Sequence, residues 1–312
     1  MALVKDGTGK VTSVYAGDLT GRLWRLDFSE QASSYFVVGL AGQPLFKAES
    51  GQPILQAPVV QPRGSGRMLM FGTGRLVTSG DLADTTVQAL YMVEDRVGEG
   101  LPRPLVPSQL AERSLQSVDV SGASASTPFY TVSGDEIDWT RQRGWRLSLT
   151  GAALPKGLRM LQPIQPLSSQ GDLMLIAAEA PAKVTDSCTD SAAGSGINLL
   201  LPLFSGLPPP KRPLLDTNSD GIVDTRDDLR VVGYATQSDG ADVVLARPRS
   251  SGLTQPSSGS GSGANPGSTS PSTWSCSGMG LLTSASGAIG ACLKTVLTLR
   301  DRAWRRILQP PF

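Results

Sequence analysis

The residues that most restrict the fold are Val11-Thr12-Ser13-Val14-Tyr15-Ala16 and Arg22-Leu23-Trp24-Arg25-Leu26-Asp27-Phe28, joined by Gly17-Asp18-Leu19-Thr20-Gly21. Val14, Ala16, Trp24, Leu26 and Phe28 recur at period two, which puts alternate side chains on one face of an extended chain. Alternation broken by a turn bearing Gly and Asp predicts an antiparallel hairpin. Further strand-length segments run from Arg67 to Gly72, Gln88 to Val93, Gly144 to Leu149, Leu173 to Ala178 and Leu229 to Tyr234, separated by Gly, Pro, Ser or Asp. No stretch holds a helical period for more than a few turns. Small antiparallel sheets repeated as blades suit this cadence better than alternating strand and helix, with Asp18 and Gly21 serving the turn and Trp24 packing between blades.

Composition supports the same class and removes several chemistries. The 312 residues include 35 Gly and 23 Pro, a turn-rich content, and are enough for one large all-β domain or two ordinary ones. A net charge of +1 supplies no basic field, so no nucleic-acid partner is expected. The chain has no histidine, which excludes Ser-His and Cys-His catalysis and the commonest zinc ligand. No pair of acids stands apart from turns and strand ends as a catalytic pair. Cys188, Cys276 and Cys292 are too scattered for a metal cluster; a Cys276 to Cys292 disulfide and three reduced thiols both remain open.

Met1 to Asp6 lacks the charged start and apolar stretch of a signal peptide, and no run of eighteen apolar residues occurs. With an ordered element expected from Val11 onward, the chain is expected to be a C-terminal piece of a longer protein. Three regions are expected: blades over 1–248, a Ser-, Gly- and Pro-rich linker or loop over 249–273, and a blade-closing segment over 274–312, with a strand-like run from Leu293 to Leu299. Arg96 to Ser126 has no assignable pattern.

The motif that carries chemistry is Asp216-Thr217-Asn218-Ser219-Asp220-Gly221-Ile222-Val223-Asp224-Thr225-Arg226-Asp227. Oxygen side chains fall at positions 1, 3, 5, 9 and 12, the spacing of an EF-hand-like calcium loop. A hard dication takes six to eight oxygens, and alternate residues of a tight loop aim successive side chains at one point. Asp216, Asn218 and Asp220 supply the first ligands, Gly221 a positive-φ turn, and Ile222 its carbonyl. Val223 points into the core, Asp224 acts through a water, and Asp227 closes the shell where EF-hands usually have Glu. The bland alternative is an Asx-rich surface turn.

Tyr15 to Asp27 resembles the propeller signature of PilY-type type IV pilus biogenesis and tip proteins. Leu69-Met70-Phe71-Gly72-Thr73-Gly74-Arg75, Asp81-Leu82-Ala83-Asp84-Thr85, Gln88-Ala89-Leu90-Tyr91, Gly144-Trp145-Arg146-Leu147-Ser148-Leu149, the Asp216 to Asp227 loop and the Arg302 to Ile307 ending follow that family's order. The resemblance implies an all-β, modified quinoprotein-like β-propeller, partial here, with calcium held by Asp216, Asn218, Asp220, Ile222 and Asp224. It further implies a place in the cell envelope, at the pilus tip or outer membrane surface, pilins or minor pilins or a host or surface ligand as partners, and regulation of pilus extension against retraction. The chain departs from the family at its front, where a von Willebrand factor A-like module, a signal peptide and early blades are missing.

Three rivals stand beside this reading. Ala16 to Trp24 also resembles the tryptophan-docking repeat of quinoprotein dehydrogenases, but no catalytic carboxylate, cofactor shell or adjacent-cysteine ring accompanies it, so no enzyme is expected. A dockerin would need a second calcium loop with helices after each. A generic extracellular propeller using calcium to pin a loop shares every physical feature. Trp24, Trp145 and Trp304 are expected as packing anchors, and Arg300, Arg302, Arg305 and Arg306 as a solvated edge.

Overall fold

The computed structural model describes residues 1–28, 36–98, 104–120, 128–167, 172–181, 195–220 and 222–236, and the backbone of three later strands. The first sheet holds β1 (Ala2–Lys5), β2 (Val11–Gly17), β3 (Arg22–Phe28), β4 (Phe36–Val38) and β5 (Phe46–Lys47), antiparallel in the order β1-β2-β3-β4 with β5 also on β3. Both of its tight hairpins use one device, Asp-x-Thr-Gly followed by Lys or Arg. Asp6 and Asp18 each accept, through Oδ1, the backbone N–H of the Thr two residues on (2.8 Å in both), its hydroxyl, and the N–H four residues on. Gly9 and Gly21 take the positive φ that closes such a turn, +87° and +77°. Trp24 is half-buried, belongs to neither hydrophobic core, and donates its indole N–H to Asp18 Oδ2 at 2.8 Å. It locks its own hairpin instead of packing between blades as expected, because the turn carboxylate has an acceptor left within its reach.

The second sheet contains β6 (Val59–Arg63), β7 (Gly66–Gly72), β8 (Ala89–Asp95), β9 (Ala111–Val118), β10 (Phe129–Ser133), β11 (Gly144–Ser148), β12 (Gln165–Pro166), β13 (Leu173–Ala180), β14 (Ser195–Pro202) and β15 (Gly233–Thr236). Their order is β12-β13-β14-β15-β10-β9-β11-β8-β7-β6. Strand β9 joins two halves. Its first residues pair parallel with β11, Ala111 opposite Trp145, and the rest pair antiparallel with β10, Val118 opposite Phe129. A third sheet pairs β16 (Val244–Ala246), β17 (Met279–Ser284) and β18 (Gly287–Cys292) in order.

Period-two alternation explains how these sheets stack. Along β7 and β8, Met68, Met70, Leu90 and Met92 enter the larger core, while Leu69, Phe71, Ala89, Tyr91 and Val93 enter the smaller one. A strand covered on both faces must be apolar on both, hence the unbroken runs Met68-Leu69-Met70-Phe71 and Ala89-Leu90-Tyr91-Met92-Val93. The smaller core meets the first sheet through Tyr15, Leu23 and Phe46, with the Phe46 ring 4.8 Å from Tyr91 and 5.5 Å from Phe71. The larger core meets β13 and β14 through Ile176, Leu199 and their neighbours. The first sheet thus packs on β7 and β8 across the smaller core, the two halves of the ten-stranded sheet share the larger core, and the observed architecture is all-β and propeller-like, as expected.

Polar groups fix the register between blades. Asp95, 1% exposed, accepts Tyr15 Oη at 2.5 Å and Arg25 Nη1 at 2.9 Å, and Arg67 Nη1 donates to Tyr15 Oη at 3.0 Å. Burial and then the Asp95 charge push the Tyr15 phenol far above its usual range. On the other side, buried Arg159 donates to the carbonyls of Gly157, Arg75, Asp81 and Asp84, clamping the loop after β7. The Gly72-Thr73-Gly74 motif makes room for that clamp. A Cβ on Gly72 would sit 2.0 Å from Met160 Cγ, and one on Gly74 2.6 Å from Arg159 Cβ.

The hairpin strands, Arg67 to Gly72, Gln88 to Val93, Gly144 to Leu149 and Leu173 to Ala178 are found within a residue or two of their expected bounds. The strand expected from Leu229 is corrected. Leu229 and Arg230 form a turn in which Asp228 Oδ1 accepts the Arg230 N–H at 2.9 Å, and the strand starts at Gly233. The unassigned Arg96 to Ser126 stretch contains β9. Trp145 is a fully buried anchor, donating Nε1–H to the Leu203 carbonyl at 2.8 Å. The 249–273 linker, Leu293 to Leu299, Trp304, the arginines from Arg300 to Arg306, Cys188, Cys276 and Gly221 lie outside the described residues.

Candidate functional site

The Asp216 to Asp227 loop lies in the connection from β14 to β15, and apolar residues at both of its ends pin it to the larger core. Leu214, Leu215, Val231 and Val232 are buried there, and the Val232 N–H donates to the Tyr130 carbonyl at 2.9 Å. Val223 is fully buried, as the motif requires of its eighth position. The loop is sewn shut by Asp227, 4% exposed. Its Oδ1 accepts the N–H of Thr217 (2.7 Å) and the Thr217 hydroxyl (3.1 Å), and its Oδ2 accepts the Asp224 N–H (2.8 Å). Thr217 Oγ1 in turn accepts the Asp228 N–H at 3.1 Å. Asp227, expected as the last ligand, closes the ring through these hydrogen bonds.

The remaining expected ligands are arrayed along the ring. Asp216 is 5% exposed, Asn218 and Asp224 are half-buried, and Asp220 and Ile222 are exposed. Asn218 Oδ1 accepts the Asp220 N–H at 2.9 Å, and Asp220 Oδ1 accepts the Ile222 N–H at 2.9 Å, successive Asx turns that wind the backbone tightly. Ser219 takes positive φ, 61°. Among the described residues no three acidic or cysteine side chains converge as a ready-made cluster.

A cation already sits among the carboxylates. The Arg226 guanidinium lies 2.8 Å from Asp220 Oδ2 and 2.7 Å from Asp224 Oδ2. Hydrogen bonds from Arg226 hold the Asp224 carboxyl below its usual range, and Asp224 raises Arg226 in return. The same unit recurs at Asp228 and Arg230, where the guanidinium bonds hold the Asp228 carboxyl low. Sequence reasoning passed over Arg226; the repeated Asp-x-Arg spacing was its signal. Arg226 is 60% exposed at its side chain, where solvent screening leaves an ion pair little net strength. It is a weak competitor for a dication. The donor set, carboxylates with an amide and a peptide oxygen in alternation, fits hard-cation chemistry.

No family model matches the chain. The Type IV pilus biogenesis factor PilY1 of Pseudomonas aeruginosa (strain PAO1) is 30% identical over 224 residues, covering 60% of this chain and 19% of the relative. The chain is homologous to part of PilY1. The Type IV pilus biogenesis factor PilY1 homolog of Xylella fastidiosa (strain Temecula1) is 40% identical over 96 residues, 29% of this chain and 7% of the relative. The crystal structure of the P. aeruginosa PilY1 C-terminal domain superposes with a TM-score of 0.66 at 20% identity, covering 93% of this chain and 59% of that one. The fold is therefore shared with that domain, while the chain spans under a fifth of the length of these two curated relatives.

Proposed function

We propose that this chain is a non-catalytic, calcium-binding, propeller-type module of a type IV pilus biogenesis factor, located in the cell envelope or at the pilus tip with pilins as partners. The homology to PilY1 carries the pilus reading, since the relatives' names are those of pilus biogenesis factors. The donor-rich loop supports the calcium reading. Asp216, Asn218, Asp220, Asp224 and the Ile222 carbonyl hold the ion, and Asp227 keeps the ring closed behind them. Those oxygens would hold the ion, which would supply a compact double charge to the loop in place of the Arg226 guanidinium that now pairs with Asp220 and Asp224. Loops of this type span affinities of about 10⁻⁹ to 10⁻³ M, with extracellular modules at the weak end.

Because the loop precedes β15, whose neighbours are β14 and β10, its order bears directly on the central strands of this blade. Occupancy thereby sets the surface offered to pilins or to a host or surface ligand, and biases pilus extension against retraction. The test is to introduce Asp216→Ala and Asp220→Ala into the encoding organism and count surface pili and twitching rate with and without calcium. The reading expects both variants to lose the calcium response at normal protein levels. Wild-type piliation and motility at every calcium concentration would remove the regulatory role.

A further inference from the structure

A cleft of about 720 Å³ opens where the β10–β11 connection faces the segment after β14, well within the range of ligand sites. Its apolar wall is Trp139, Phe204 and Leu207, half-buried residues packed on the margin of the larger core. The neighbouring Pro208-Pro209-Pro210 run offers no N–H donor and little backbone freedom, so this wall is stiff. Arg63 stacks on Trp139, its Cζ 3.8 Å from the ring centroid, and leaves its charge at the rim.

The floor is Arg113, 2% exposed. Its Nε donates to the Ser205 carbonyl at 3.0 Å, and its Nη1 to the carbonyls of Glu112 (3.0 Å) and Asp135 (2.7 Å). Among the described residues its buried Nη2 has no hydrogen-bond partner. A buried guanidinium bonded only to neutral carbonyls is a site for a negative charge. Arg63 and Arg113 face the exposed acids Glu136 at the lip and Asp135 beside it, whose charge reaches Arg113 without a hydrogen bond to Nη2.

We propose that this cleft binds an extended peptide segment in which an apolar side chain adjoins a carboxylate. The apolar group lies on Trp139, Phe204 and Leu207, the carboxylate turns toward Arg113 and Arg63, and Glu136 accepts a backbone N–H. An inorganic anion would leave the apolar wall unused, and an aliphatic ligand would leave Arg113 Nη2 unsatisfied. The inference is independent of the calcium loop.

The test is an NMR titration of the full ¹⁵N-labelled chain with Ac-Gly-Phe-Glu-Gly-NH₂, following the Trp139 indole N–H resonance assigned through Trp139→Phe. The expected result is a saturable shift, with affinity falling about tenfold both for the Gln peptide and for Arg63→Ala, a factor of ten being about 1.4 kcal/mol. Arg113→Ala risks misfolding, because three carbonyls depend on it; the Glu and Gln peptides compared on the unaltered chain avoid that ambiguity. No shift in a folded sample at about 10 mM peptide, equal response to the Glu and Gln peptides, or the same shift from sodium acetate alone would overturn the proposal.

Discussion

Replacing Asp95 by Ala tests how the first sheet is fastened to the second. The carboxylate is 1% exposed at its side chain, Arg25 is 10% exposed, and Tyr15 is fully buried. Truncation leaves the Arg25 guanidinium with only the half-exposed Asp27, whose Oδ2 lies 3.0 Å from Nε, and leaves the Tyr15 hydroxyl without its acceptor, though Arg67 Nη1 still donates to that oxygen. Removing one partner of a buried ion pair costs about 3–5 kcal/mol when the remaining charge is left unpaired, and with Asp27 still beside Arg25 the expected cost lies at the low end, about 3 kcal/mol. For a unit of this size that is a fall in Tm of roughly 6–12 °C. The assay is a reversible thermal melt followed by circular dichroism, with urea unfolding as a second measure of the same difference. The double variant Asp95→Leu with Arg25→Met removes both charges, so it is expected to be less destabilised than Asp95→Ala alone. A cost under about 1 kcal/mol for Asp95→Ala, or a double variant worse than the single, would refute the claim that stranded charge dominates.

Gly72→Ala is expected to cost about 1–3 kcal/mol or more through overpacking, since its Cβ would stand 2.0 Å from Met160 Cγ. Adding Met160→Ala should recover part of that loss in the same urea titration, and strict additivity would contradict the collision. Trp145→Phe keeps most of the buried ring but abandons the Leu203 carbonyl, a loss of about 1–3 kcal/mol, against about 3–5 for Trp145→Ala. Backbone N–H bonds from Val77 and Thr78, then Arg75, hold the Asp81 carboxyl well below its ordinary value of 3.8. A lowered folded value means that Asp81 adds stability above pH 3.8 and loses it as pH falls through the lowered value. Thermal melts across that acid range should therefore show a shallower acid decline in Asp81→Asn than in the parent chain.

The elements legible in the sequence were those whose alternation is unbroken. The turn Asp18 to Gly21 and its flanking strands announce themselves because side-chain and backbone preferences agree there. Strand β7 was legible as an apolar run, but that its two faces serve different cores is a tertiary fact that no local pattern contains. Strand β9 was hidden because its inward residues are Ala111, Arg113 and Leu115; a charged residue at the middle inward position erases the period-two signal. The buried charges of Asp95 and Arg159 were invisible for the same reason, each being matched by partners far along the chain. In the candidate site, the donor spacing and the buried Val223 were readable. The inward turn of Asp227 and the presence of Arg226 among the carboxylates depend on how the ring closes, which spacing alone does not determine.

Isothermal calorimetry of the purified chain with calcium, beside Asp216→Ala and Asp220→Ala, decides whether the loop is the calcium site proposed above. The account predicts saturable one-site binding by the parent chain, lost in both variants while their circular dichroism spectra stay native. Absence of binding heat in a folded parent chain at millimolar calcium, or unchanged binding in the variants, would contradict it and reduce the loop to an Asx turn held by Arg226 and Asp227.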